Sequence, residues 1–260
     1  MIDPTGYDTD KGVLPHYLRI YEECFEPLLD KDVRILELGI NKGGSLLLWR
    51  DYFEKGTIVG LDINPCHIDD PTGRIHVYQG LQQDIKFLDR ISRKEAPDGF
   101  DVIIDDCSHI GELTRISFWH LFDNYLKPGG IYAVEDFATG YIDNWIDGGR
   151  FRPIHYSAYD RLRFHIIAPL IESLLNKRVF QPFPRVSIYI RRYMSYKRRI
   201  HSHDYGMVGF VKELVDAACG QKARWGSGPY RSAQIYSINI SFNRVIVVKS
   251  QQPDNIYMSK

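Results

Sequence analysis

Between about Val33 and Val134 the spacing of apolar residues switches repeatedly between a strand-like run and a helical period. Val33-Arg34-Ile35-Leu36-Glu37-Leu38 is a short apolar run that ends in Gly39-Ile40-Asn41-Lys42-Gly43-Gly44-Ser45, and Leu46-Leu47-Leu48-Trp49 follows at helical density. This reads as strand, glycine turn, helix. Thr57–Asp62, Ile75–Tyr78 and Phe100–Asp106 are further β-prone runs, each closed by a polar turn. Leu113, Ile116, Trp119, Leu121, Phe122 and Tyr125 then recur at helical spacing, and Leu126-Lys127-Pro128-Gly129-Gly130 is expected to stop that helix before a fifth strand at Ile131-Tyr132-Ala133-Val134. Strands alternating with helices at this spacing predict an α/β fold with a doubly wound, mainly parallel sheet.

The C-terminal part breaks the alternation. Gln234–Ile240 and Arg244–Lys249 are separated by only Ser241-Phe242-Asn243, too few residues for a parallel crossover, so they are expected to pair as an antiparallel hairpin and bring the sheet to seven strands. A helix is expected over Met207–Asp216 before it. Residues 1–30 read as an N-terminal helical segment. Residues 137–205 are too long for a passive loop and read as an insertion within a single domain of residues 1–260. The insertion holds an amphipathic pattern (Leu162, Ile166, Ile167, Leu170, Leu174) broken by Pro169, then a basic stretch from Arg191-Arg192 to Lys197-Arg198-Arg199.

Composition narrows the class. A chain of 260 residues at 44% hydrophobic and 25% charged has enough apolar material for one soluble core, which excludes disordered, collagenous and disulfide-stapled classes. Lys plus Arg (33) balances Asp plus Glu (33), so no global field recruits nucleic acid or an anionic membrane. Cys24, Cys66, Cys107 and Cys219 lie far apart with no C-x-x-C pair, which suits reduced thiols better than a zinc cluster or a disulfide framework. The opening Met1–Gly6 lacks a basic and an apolar leader region, and no apolar run reaches the ~20 residues needed to cross a bilayer. A cytoplasmic protein is expected.

In an open α/β sheet, ligands bind beyond the carboxyl ends of the strands, so the chemistry belongs in the turns that follow them. The first turn, with Glu37, Gly39, Asn41, Gly43 and Ser45, lets backbone approach a ligand, and Asp62 ends the next strand where a carboxylate can accept from ribose hydroxyls. An acid ahead of a looser glycine pattern than G-x-G-x-x-G favours a cationic cofactor, S-adenosylmethionine, over NAD. Asp105-Asp106 and Glu135-Asp136 close the fourth and fifth strands, and Asp105 also faces the cofactor side. Carboxylates gathered on one rim repel one another without a cation, and hard oxygen donors suit Mg²⁺ or Mn²⁺, which could also take two vicinal hydroxyls of an acceptor. The alternative is acids that cap the following helices. His109, in the same turn as Asp106, is placed to accept a proton from a hydroxyl that is too weak an acid to lose it unaided.

These residues carry a family resemblance. Thr9-Asp10-Lys11-Gly12 with His16 and Tyr17, Ile35–Ile40 with Gly43-Gly44-Ser45, Ile103-Ile104-Asp105-Asp106-Cys107-Ser108-His109, Lys127-Pro128-Gly129-Gly130 and Glu135-Asp136 resemble the class I methyltransferases that O-methylate sugars, typified by the macrocin and mycinamicin sugar methyltransferases. The likeness covers residues ~5–147 and resumes at the last helix and hairpin. It implies a Rossmann-like methyltransferase fold, adenosylmethionine as donor and a bound magnesium. It also implies Asp106, Glu135 and Asp136 as metal ligands, His109 as general base, Asp62 on the ribose and Gln83-Asp84 facing the adenine. Cys107 stands where the family pattern leads one to expect a smaller residue.

The insertion mixes Tyr141, Trp145, Tyr156, Tyr159, Tyr193, Tyr196 and Tyr205 with arginine. Such residues suit a saccharide or glycoside acceptor, a contact between copies in a homo-oligomer or, through the basic stretch, a peripheral membrane contact. Two rival functions stay open: a catechol-type O-methyltransferase, which typically carries lysine at the base position, and a non-catalytic cofactor-binding scaffold, which would not need the carboxylates and His109 together.

Overall fold

Seven strands form one sheet in the order β3-β2-β1-β4-β5-β7-β6. They are β1 (Arg34–Leu38), β2 (Thr57–Asp62), β3 (Ile75–Gln79), β4 (Phe100–Asp105), β5 (Leu126–Glu135), β6 (Ile235–Ser241) and β7 (Arg244–Lys249). The first five run parallel, with Leu36 opposite Val59 on one side and Ile103 on the other. β7 lies antiparallel to both β5 and β6, so the expected hairpin forms and β7 sits inside it against β5. The computed structural model describes residues 2–12, 15–142, 144–150, 170, 173, 205–220 and 234–251. Residues 1–150 and 204–260 make one compact unit and 151–203 a second. The amphipathic pattern at 162–174, the basic stretch at 191–199 and the tyrosines at 156, 159, 193 and 196 lie outside the described residues, except that Leu170 is described and helical.

Period-two alternation along each strand assigns its side chains to two cores. Leu36, Leu38, Val59, Leu61, Ile103, Tyr132, Val134, Val245 and Val247 face one side, where α3 (Ile85–Glu95), α4 (Gly111–Asn124) and α5 (Gly206–Gly220) cover them. Ile35, Ile58, Val102, Ile104, Ala133 and Ile246 face the other, under α1 (Pro15–Phe25) and α2 (Gly44–Tyr52). On this second face Trp49 is fully buried and edge-on to Tyr21 and Phe25. Removing a large side chain from either layer costs roughly 3–5 kcal/mol, a sizeable share of a domain's net stability.

Local chemistry sets the element ends. Asp84 caps α3 by accepting the Phe87 N–H at 3.1 Å. Gly43 takes the left-handed conformation (φ 83°) ahead of α2. The N-termini of α4 and α5 meet at Gly111 and Gly206, where a Cβ on Gly111 would overlap the Gly206 backbone, and one buried carboxylate, Asp147, accepts both the Gly111 and the Met207 N–H at 2.8 Å. The strand at the Lys-Pro-Gly-Gly sequence differs from the expected one: α4 ends at Asn124 and β5 starts at once at Leu126. The ladder shifts register between Phe100 opposite Leu126 and Val102 opposite Ile131, and this bulge absorbs Pro128 and the left-handed Gly129.

Candidate active site

Strand order reverses at β1, whose successors depart to β2 on one side and β4 on the other, so the crevice beyond β1 and β4 is the topological switch point. A cavity of about 640 Å³ opens there, and its walls include Gly39, Asn41, Asp62, Gln83, Asp106 and His109. Gly39 must be glycine on two counts. Its φ is 81°, and a Cβ would overlap the Asp106 carbonyl oxygen where the turns after β1 and β4 touch.

Asp62 organises the first wall. One carboxylate oxygen accepts the N–H groups of Ile40 and Asn41, both at 3.0 Å, and the other accepts Asn64 N–H at 2.8 Å. An ionised carboxylate has about four acceptor positions, which leaves room for one more donor from the cavity. Beneath the wall, Glu37 is fully buried and accepts from Ser45 Oγ at 2.9 Å and Trp49 Nε1 at 3.2 Å. Burial raises its pKa, and Lys11 at 3.4 Å opposes that shift. Asp105 is also interior, held by Ser117 Oγ at 2.9 Å and by Gln82 and Tyr132 at 3.3 Å, and burial pushes it up to about 6. Of the residues read as cofactor contacts, Gly39, Asn41, Asp62 and Gln83 therefore line the cavity. Glu37, Ser45 and Asp105 lie under it, while Gly43 and Asp84 begin α2 and α3.

The second wall carries the carboxylates and the histidine. Asp106, His109 and Asp136 bring one potential ligand atom each to within 4.8 Å of one another. His109 Nε2 lies 3.8 Å from Asp136 Oδ2 and 4.0 Å from Asp106 Oδ1, and its ring meets Trp145 edge-on at 5.6 Å. Burial holds His109 below its ordinary pKa, against the pull of Asp136 and Glu135, so the neutral imidazole prevails near pH 7. Asp136 is raised by burial, with His109 opposing, and its Oδ1 accepts from Asn243 Nδ2 in the turn between β6 and β7. Glu135, the third expected ligand, is not in the group of three formed by Asp106, His109 and Asp136: nearly fully buried, it accepts from Lys11 Nζ at 3.0 Å and from Tyr21 OH.

Among the described residues, the non-glycine positions with positive φ are Asn41, His109, Asp136 and Asn243. Three line the cavity and the fourth bonds Asp136. Left-handed backbone at non-glycine residues concentrates where a side chain must be aimed, and Asn, Asp and His are the types that tolerate it best. Sequence reasoning missed Gln82 and Asp10. Gln82 Oε1 accepts the Ser108 N–H at 3.1 Å, and Asp10 lines the cavity from the N-terminal segment.

No protein-family model matches the chain. It is 34% identical over 216 residues, 80% of its length and 50% of the relative's, to mycinamicin VI 2''-O-methyltransferase of Micromonospora griseorubida. To demethylmacrocin O-methyltransferase of Streptomyces fradiae it is 32% identical over 217 residues, covering 80% and 51%. A methyltransferase of the mycinamycin biosynthetic pathway, solved in complex with Mg, SAH and mycinamycin VI, superposes with a TM-score of 0.64 at 27% identity over 93% of this chain and 51% of that one. The chain thus spans about half the length of these relatives. In sequence and in fold it is similar to the sugar O-methyltransferases of the macrocin and mycinamicin type over the half of their length that it spans.

Proposed function

We propose that the chain transfers a methyl group from S-adenosylmethionine to a hydroxyl of a sugar or glycoside, assisted by Mg²⁺, with His109 as general base. The observation that carries this reading is a cavity with two unlike walls. One is a glycine turn and the ribose-type acid Asp62, and the other gathers Asp106, His109 and Asp136. The relatives named above support it, since they are O-methyltransferases of glycosides and the structural relative holds Mg and SAH.

The residues fit both groups. Hard carboxylate oxygens on Asp106 and Asp136 suit a divalent cation, and the cavity is large enough for a nucleoside. The sulfonium, when bound, supplies an already activated methyl, and the cation supplies positive charge beside the reacting hydroxyl. What the chain contributes is placement. Asp62 and the Gly39–Asn41 backbone fix the donor side, with Gln83 beside them. Asp106 and Asp136 would hold the cation, with Glu135, the third ligand that the resemblance implies, tied to Asp106 through Lys11. His109, largely neutral near pH 7, accepts the hydroxyl proton at Nε2.

The test is a panel of glycosides incubated with labelled adenosylmethionine, with and without Mg²⁺. Methyl incorporation into at least one sugar hydroxyl, dependent on metal, is expected. Incorporation into catechols alone, or cofactor binding with no turnover of any glycoside, would replace this reading.

A further inference from the structure

Lys11 enters the sequence only as the third residue of Thr9-Asp10-Lys11-Gly12, and the chemistry above leaves it without a role. Its side chain is 1% exposed, and the ammonium lies 2.8 Å from Asp106 Oδ2, 3.0 Å from Glu135 Oε1 and 3.4 Å from Glu37 Oε1. Those acids come from the ends of β4 and β5 and from within β1, so one side chain ties three adjacent strands. An ammonium has three donors, and three acids surround it. Burial alone would discharge a lysine, but Asp106, Glu135 and Glu37 together hold its pKa well above the ordinary value.

Two details make this placement specific. The segment carrying Lys11 is seated by backbone: a Cβ on Gly44 would overlap the Asp8 carbonyl, and one on Gly12 would overlap Pro4. The Asp106 carboxylate is also divided, Oδ2 on Lys11 and Oδ1 facing His109. The ammonium thus fixes the rotation of the carboxylate whose other oxygen faces the cation corner.

We propose that Lys11 is a positioning residue for methyl transfer: by holding Asp106 Oδ2 and Glu135 from the interior, it aims Asp106 Oδ1 into the corner shared with His109 and Asp136. This rests on the reading that Asp106 holds the divalent cation. The contrasting role is an ammonium that merely fills the cation's place. The two differ in sign. Removing a positive charge beside a cation site strengthens cation binding if charge is all that matters, and weakens it if Lys11 sets the geometry.

The experiment titrates Mn²⁺ alone into the protein, read by electron paramagnetic resonance, alongside calorimetry with adenosylmethionine. Wild type should bind Mn²⁺. Lys11→Met should bind it at least about 10-fold more weakly while keeping adenosylmethionine affinity within about 3-fold, the second-sphere range for a metal site. On the best glycoside of the panel the loss should appear in kcat rather than KM. Lys11→Arg, which restores a charged donor, should recover part of the Mn²⁺ affinity.

Lys11→Met/Glu37→Gln removes one charge of each sign. It keeps the buried cluster balanced if the single variant does not fold, and it should remain as weak for Mn²⁺ because Asp106 is still unheld. Wild type that binds no Mn²⁺ overturns the metal reading and this inference with it. Unchanged or tighter Mn²⁺ binding in Lys11→Met, or full recovery in the double variant, overturns the inference alone.

Discussion

At the residue scale, three of the cavity's polar side chains sit on left-handed backbone, and each was visible in the sequence as a polar residue in a turn after a strand. His109 is the sharpest case. With the general-base role assigned to it, His109→Ala should lower turnover about 10²–10⁴-fold with adenosylmethionine affinity near normal, and the acid limb of the pH–rate profile should vanish. Turnover within a few-fold of wild type in steady-state kinetics would send the proton elsewhere. Asp62→Ala removes a carboxylate that three backbone N–H groups use. It should weaken adenosylmethionine binding by roughly 1.5–3 kcal/mol, one charged hydrogen bond, and also lower the melting temperature because those N–H groups lose their acceptor. Calorimetry on the folded variant checks the first and a thermal melt the second. Lys11 was not legible as part of the site. It is separated from Asp106 by 95 positions and from Glu135 by 124, and a buried lysine carries no local signature before the strands converge on it.

At the element scale, the five parallel strands and the closing hairpin could be read from apolar runs and turn residues, because strand alternation and glycine turns are local properties. The start of β5 could not. Pro128 and two glycines oppose both helix and strand in isolation, and only pairing with β4 through a bulge makes the segment part of the sheet. Long-range pairing likewise decides the loop before β3. Asp70 there accepts from Thr72 Oγ1 at 2.7 Å, from the N–H groups of Arg74 and Ile75 at 2.8 Å and from Arg50 of α2 at 3.1 Å. Burial works against its ionisation, but these donors win and hold its pKa well below the ordinary carboxylate range. A depressed folded-state pKa contributes stability that is fully present above the unfolded value, about 4, and is lost gradually as pH falls from there through the lower folded value. Asp70→Asn should therefore destabilise by about 2–3 kcal/mol at pH 7, and the gap from wild type should begin to narrow below about pH 4 in urea melts. A gap that stays constant down to pH 3 would assign the loss to shape rather than charge.

At the scale of the whole molecule, no helix among the described residues is long and apolar enough to cross a membrane. In the proposed reading the two walls of the cavity divide the labour between donor and cation. Dialysis against EDTA should accordingly abolish turnover while calorimetry still registers adenosylmethionine, because Asp62 and the glycine turn are assembled without the cation. Activity that survives with negligible metal content would make Asp106 and Asp136 purely structural acids. The double acceptor role of Asp147 reaches further. Because one carboxylate grips the N–H of Gly111 and that of Met207, the sequence leaves the larger compact unit and returns to it close to a single pinned junction. Residues 151–203 lie between its two sides in the sequence. Exchanging them for a linker of about six glycine and serine residues shortens the bridged loop by roughly three doublings, about 2 kcal/mol less closure entropy. The sheet should still fold, because the pin at Asp147 holds both ends of the replaced segment; a thermal melt that shows no cooperative transition in the exchanged protein would refute this.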